Sequence, residues 1–205
     1  MTKHRALFIL LNTFIIVDVL IILFSVLIKI PSAFRYFTVL SNLLMAIVAI
    51  FAIYIVLRHK PSRILYTLYL ITATSLVLVF LVVAFFLSPQ FEDYFYLFSS
   101  YNFFLHFLNP LLAVISFFLF KNLKLSSKTC FLSLIPPFLY AIIYFIFVIL
   151  RKDWPNFYNF TLGGKEWISA FTLLIILSVT YFISVILIKL QKKLSKQFSE
   201  KQSSF

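Results

Sequence analysis

Six apolar stretches, each long enough to cross a bilayer, constrain this 205-residue chain more than any other feature. A membrane-spanning helix needs roughly 20 predominantly apolar residues. Residues 6–30, 36–57, 64–87, 100–120, 129–150 and 168–190 each meet that length. With 63% of residues apolar and 12% charged, there is too much greasy surface for an interior of this size to hide. A soluble enzyme, a disordered chain and a disulfide-stapled module are excluded, the last also because Cys130 is the single cysteine. The predicted class is all-α: a polytopic membrane protein with a six-transmembrane-helix bundle over 1–190 and a basic, polar tail over 191–205. The first stretch follows Lys3 and Arg5, like a signal peptide, but its length and the absence of a small-x-small cleavage site predict a retained span.

The net charge of +12 would suggest nucleic acid in a soluble chain. Here the basic residues fall between the apolar stretches and serve as a topology signal, so no nucleic-acid partner is expected. Thirteen of the eighteen Lys and Arg residues lie on one side, in the N-terminal segment, around Arg58–Arg63, around Lys121–Lys128 and after Lys189. The other five are Lys29, Arg35, Arg151, Lys152 and Lys165. The positive-inside rule places both termini in the cytoplasm. The basic tail suits anionic headgroups, which makes membrane lipids the expected partners.

Two outer loops are aromatic, 91–101 and 153–160, and aromatic rings of this kind favour the headgroup level. They form either a plain aromatic belt or a lid over a lipid-accessible cavity. The only glycines, Gly163 and Gly164, lie in the last loop, so helix contacts must rest on Ala, Ser, Thr and interlocking large side chains. Kinks are predicted at Pro110 and at Pro136-Pro137. Asn159-Phe160-Thr161 fits a glycosylation sequon, relevant only in a secretory route.

Polar side chains inside the spans carry the functional information. Asp18 is the only acid in any span, and it must be either protonated or hydrogen-bonded within the bundle. Thr38, Ser41 and Asn42 share one face at the start of helix 2, and Asn102, His106 and Asn109 share one face of helix 4. At 1.5 Å per residue Thr38 lies roughly 6 Å and His106 roughly 9 Å below the outer surface. Tyr140 and Tyr144 reach the same outer half from helix 5. An imidazole near a threonine hydroxyl can take its proton and make it a nucleophile; otherwise His106 is an interhelical hydrogen bonder. No further His, Cys or acid lies at that depth, so neither a metal nor another cofactor is expected.

The segments Arg35-Tyr-Phe-Thr38-Val-Leu-Ser-Asn42 and Asn102-Phe-Phe-Leu-His106-Phe-Leu-Asn-Pro110, with the loop Trp154-Pro-Asn-Phe-Tyr-Asn-Phe160, resemble the androgen-induced/ADTRP-like membrane protein family and its bacterial relatives. Animal members hydrolyse fatty-acid esters of hydroxy fatty acids with a threonine and a histidine. The resemblance implies Thr38 as nucleophile, His106 as general base and a bacterial cell membrane as the location. Pro110 follows the histidine by four residues where the animal pattern has five, and the helix 2 asparagine is shifted by one, which brings the chain closer to the bacterial branch.

The expected function is therefore a membrane-embedded hydrolase of lipid-like esters. Thr38 and His106 are its catalytic pair, and Arg35, Asn42, Asn102, Asn109, Tyr140 and Tyr144 bind substrate. Asn42, Asn102 and Tyr144 are each candidate donors to the oxyanion. The alternative is a non-enzyme, either a transporter of small solutes or lipids or an accessory subunit of a membrane complex, with Asp18 and His106 as proton carriers.

Overall fold

A computed structural model describes residues 3–58, 62–119, 125–160 and 166–203. The basic positions His59, Lys60, Lys121, Lys124 and Lys165, the sequon's Thr161 and the two glycines lie outside the described residues. The chain is an all-α bundle with six helices long and apolar enough to cross a membrane, and there is no strand among the described residues. They are α1 (Lys3–Lys29), α2 (Phe37–Leu57), α3 (Arg63–Gln90), α4 (Ser100–Leu119), α5 (Lys128–Leu150) and α6 (Glu166–Ser203). Helix α6 continues without a break beyond residue 190, so the first part of the basic tail is a helical extension of the last span.

The helices form because their long apolar runs leave no water for the backbone, which must then satisfy its own polar groups. Helix α3 lies at the centre, packed against α2, α4, α5 and α6. Small residues allow this close approach: Thr72, Ala73, Thr74 and Ser75 on α3 and Ala46, Ala49 and Ala52 on α2 are all buried. The hydroxyls of Thr72 and Ser75 donate to carbonyls of the preceding turn, Leu68 and Ile71, so they are satisfied within their own helix. A large outward shell that includes Leu10, Phe24, Ile50, Phe85 and Leu174 remains exposed. That pattern suits lipid as the surrounding medium rather than water.

Three spans change pitch towards their outer ends. π-Helical turns occupy Val83–Leu87 in α3, Phe104–Leu108 in α4 and Phe145–Leu150 in α5. The turn in α4 ends just before Asn109-Pro110, where the proline has no N–H to give and its ring crowds the preceding turn. In α5 the helix is interrupted at Ser133-Leu134 and restarts with Pro136 and Pro137 in its first turn. Both proline sites thus coincide with the breaks their chemistry predicts.

The loop after α5 folds back onto the bundle instead of projecting into water. Its Trp154 ring stacks on Phe147 at 4.7 Å, and the backbone N–H groups of Asp153 and Trp154 both donate to the Phe147 carbonyl. Lys152 and Asn159 adopt positive φ (58° and 50°) at the two bends that turn the loop inward. Arg151 and Asp153 pair at the exposed rim at 2.7 Å.

Candidate functional site

The inward fold of this loop closes one wall of a cavity of about 380 Å³. The cavity lies in the outer half of the bundle between α2, α3, α5 and α6. Most of its wall is aliphatic or aromatic carbon. Its polar atoms come from Thr38 on α2, Tyr140 and Tyr144 on α5, Tyr158 on the loop and Ser169 on α6.

Thr38 stands in the first turn of α2. No side chain caps this helix from Tyr36, the residue immediately before it. The cap comes instead from Tyr158, whose phenol oxygen accepts the Phe37 N–H at 2.9 Å across 121 residues of sequence. The Thr38 backbone and side chain face the same phenol. Tyr140 donates its hydroxyl to the Arg35 carbonyl at 2.7 Å, and Tyr144 donates to the Asn156 side chain. Burial pushes the Tyr158 phenol up to about 12, only partly offset by the α2 N–H groups, so it keeps its proton at neutral pH and acts as a donor rather than a base.

His106 lies apart from this cavity. It sits in the π turn of α4, is 8% exposed, and holds its Nδ1 2.6 Å from the Leu97 carbonyl. A carbonyl can only accept, so Nδ1 carries the hydrogen and Nε2 presents a lone pair, the tautomer a general base needs. The Phe98 ring meets the imidazole edge-on. No hydrogen bond joins His106 to Thr38, and His106 is not among the residues that line the cavity.

The asparagines divide in the same way. Asn42 donates to the Thr38 carbonyl at 2.8 Å and to the Leu105 carbonyl at 3.2 Å, and accepts from Asn109 at 2.9 Å. These two amides are wholly buried and tie α2 to α4. Asn102 is half-buried near the outer end of α4, with its backbone N–H bonded to the Ser99 carbonyl. The Arg35 guanidinium lies over the Trp154 ring, 5.5 Å from its centre. The structure therefore gathers Thr38, Tyr140 and Tyr144 around one cavity. It sets Asn42 and Asn109 behind Thr38 as its support, and leaves His106, Asn102 and Arg35 outside the lining.

Sequence reasoning missed Tyr158 as an individual residue, having grouped it with an aromatic belt. Tyr158 and Phe160 both line the cavity and stack at 5.0 Å, brought to one side by the bend at Asn159, which has a φ of 50°, a tertiary turn that the sequence does not mark. Ser169 was missed because it lies at the very start of the last span. Among the described residues no three His, Cys, Asp or Glu side chains gather into a metal-binding set. No protein-family model, no curated protein and no solved structure matches the chain.

Proposed function

We propose that this protein is a membrane-embedded hydrolase of lipid-like esters of the fatty-acid type, working in a bacterial cell membrane. The observation that carries the reading is the Thr38 hydroxyl of α2, set into a largely apolar cavity beside a protonated phenol. An acyl chain fits such a cavity by its apolar walls, and its ester carbonyl then lies at the polar end. The first-turn N–H groups of α2, which now meet the Tyr158 oxygen, and the Tyr158 hydroxyl itself offer donors to a developing oxyanion.

The reaction proceeds in two halves. His106 Nε2 takes the Thr38 proton, Oγ1 attacks the ester carbonyl, and the alcohol leaves with the proton from the imidazole. Water, deprotonated by the same nitrogen, then attacks the Thr38 acyl ester; the fatty acid is released, and the imidazolium returns the proton to the leaving Thr38 Oγ1. In this reading the substrate-bound form draws Nε2 towards Thr38, and the π turn that carries His106 provides the adjustable backbone.

The separation of His106 from the cavity favours a second reading, a protein that binds or moves an acyl lipid without chemistry. Purified chain in detergent, offered long-chain p-nitrophenyl esters and a fluorophosphonate probe, separates the two. Hydrolysis and labelling that disappear in Thr38→Ala support the enzyme. Turnover that survives Thr38→Ala removes the nucleophile assignment. Saturable binding of a fluorescent fatty acid without any turnover supports the second reading.

A further inference from the structure

The loop over residues 151–160 is fastened to all four helices that surround the cavity. On α2 the Tyr158 oxygen accepts the Phe37 N–H at 2.9 Å, and on α5 the Tyr144 hydroxyl donates to the Asn156 side chain. On α6 the Thr172 hydroxyl reaches the Phe160 carbonyl at 3.3 Å, beside its shorter bond of 2.9 Å to the Ile168 carbonyl of its own helix. On α3 the Phe86 ring packs on Phe160 at 5.9 Å. Lifting the loop breaks contacts to four helices at once. It is a cover over the end of the cavity rather than a doorway.

A ligand that does not pass the cover must come between two helices. Among the described residues, four seams between neighbouring helices surround the cavity. Helix α3 packs directly against α2 and α6, which closes two of them. The seam between α2 and α5 is closed near Thr38, where Tyr140 donates to the Arg35 carbonyl at 2.7 Å and packs its ring on Phe37 at 5.2 Å. The fourth seam, between α5 and α6, differs. Ile142 and Phe145 on α5 line the cavity and are 43% and 44% exposed, and on α6 the lining residue Ala170 is exposed as well. Towards the opposite end of the bundle the same two helices meet through Phe131 and Tyr181, whose ring centres are 5.0 Å apart. The exposed lining thus belongs to the half of the seam nearest the loops, and its edges are hydrocarbon.

We propose that the cavity opens sideways into the bilayer between α5 and α6, and that a single acyl chain of a leaflet lipid enters through this portal. The leaflet is the one on the side of the aromatic loops, which the positive-inside rule predicts to be the outer one. A seam edged with carbon and facing hydrocarbon admits an acyl chain without desolvating it, whereas a polar solute must first leave water. The cavity's 380 Å³ lies at the small end of the roughly 300–1,000 Å³ of ligand pockets, room for one chain rather than two. Thr38 stands in the first turn of α2, so the polar end of a lipid that enters here stays near the headgroups while its chain lies in the cavity. The portal rests on the reading that the cavity holds an acyl lipid, and it is independent of the chemistry at Thr38.

The test is the exchange of a long-chain anthroyloxy fatty acid between the bilayer and the full chain in lipid nanodiscs. Energy transfer from Trp154 and Trp167 reports it in stopped flow. Ala170→Trp and Ile142→Trp each place a bulky ring at one edge of the portal. Each is expected to slow binding and release together, by about tenfold, with little change in equilibrium affinity, because a narrowed passage impedes both directions alike. Asn156→Ala removes the acceptor of the Tyr144 hydroxyl, loosens the cover, and is expected to leave both rates as they were. Rates that neither tryptophan changes overturn the portal. So does exchange accelerated by Asn156→Ala, which means entry through the cover. Weaker affinity with an unchanged binding rate in both tryptophan variants also overturns it, since the rings then fill the cavity instead of barring the way. An absence of saturable binding in the wild type removes the acyl-lipid reading and the portal with it, whereas wild-type binding without a portal effect removes the portal alone.

Discussion

At the scale of single residues, Thr38 and Tyr158 depend on each other. The phenol caps α2 at its first N–H, and that turn holds the hydroxyl against the cavity. Tyr158→Phe keeps the ring packing but leaves the Phe37 N–H without its acceptor, so it should cost about 1–3 kcal/mol in chemical denaturation. The same phenol makes the fold sensitive to alkali in a defined window. Its folded value of about 12 lies above the ordinary 10 of an unfolded tyrosine, so the folded state binds more protons between those two values. The stability it contributes is complete below pH 10 and falls as the pH rises from 10 to about 12. Circular dichroism melts across that range should show the decline, and Tyr158→Phe should flatten it. If hydrolysis is observed, His106→Ala should lower kcat by a factor on the order of 10²–10⁴, the usual worth of a general base, with less change in KM.

At the scale of elements, the sequence announces the helices more clearly than their neighbours. Apolar length marks all six spans, and Pro110 and Pro136-Pro137 mark the breaks in α4 and α5 because a missing N–H is a local property. Which helices enclose the cavity is a tertiary fact. Equal depth suggested that α4 would face Thr38 with His106, yet two residues at one depth can point into different gaps of the same bundle. Much of the cavity wall is built by α3 and α6, whose lining side chains Leu78, Val82 and Leu173 carry no polar mark in the sequence. Ala141 on α5 provides a way to test that wall. Ala141→Phe should fill part of the 380 Å³ and shorten the longest acyl chain accepted, measured as a fall in affinity for long but not short fluorescent fatty acids. On α3, Ala73 is fully buried against neighbouring helices, and Ala73→Leu should destabilise the bundle by about 1–3 kcal/mol through overpacking.

At the scale of the whole molecule, the even number of spans among the described residues sets both ends of the bundle on one face, and the positive-inside rule predicts that this face is the cytoplasmic one. In a Cys130→Ser background, a membrane-impermeant maleimide should label a cysteine at Asn156 in intact cells. A cysteine at Ser126 should react only after the membrane is opened; the reverse result overturns the orientation. The bundle is also uneven across its thickness, for π turns occur in α3, α4 and α5 near the outer side, while the break at Ser133-Leu134 in α5 lies towards the other end. Each such turn holds one residue more than an α-helical turn, and one residue corresponds to about 100° of rotation about the axis. Rewinding Phe104–Leu108 as unbroken α-helix with its sequence intact would swing everything beyond it, Asn102 included, by roughly that angle relative to Asn109, whereas deleting one residue from the turn would restore unbroken helix and leave those directions nearly as they were. The outer third of this protein is thus out of phase with the inner two thirds. A single-residue deletion inside one of these turns would be absorbed with little change of direction, whereas the same deletion in the regular part of a helix would turn every side chain beyond it by about 100°.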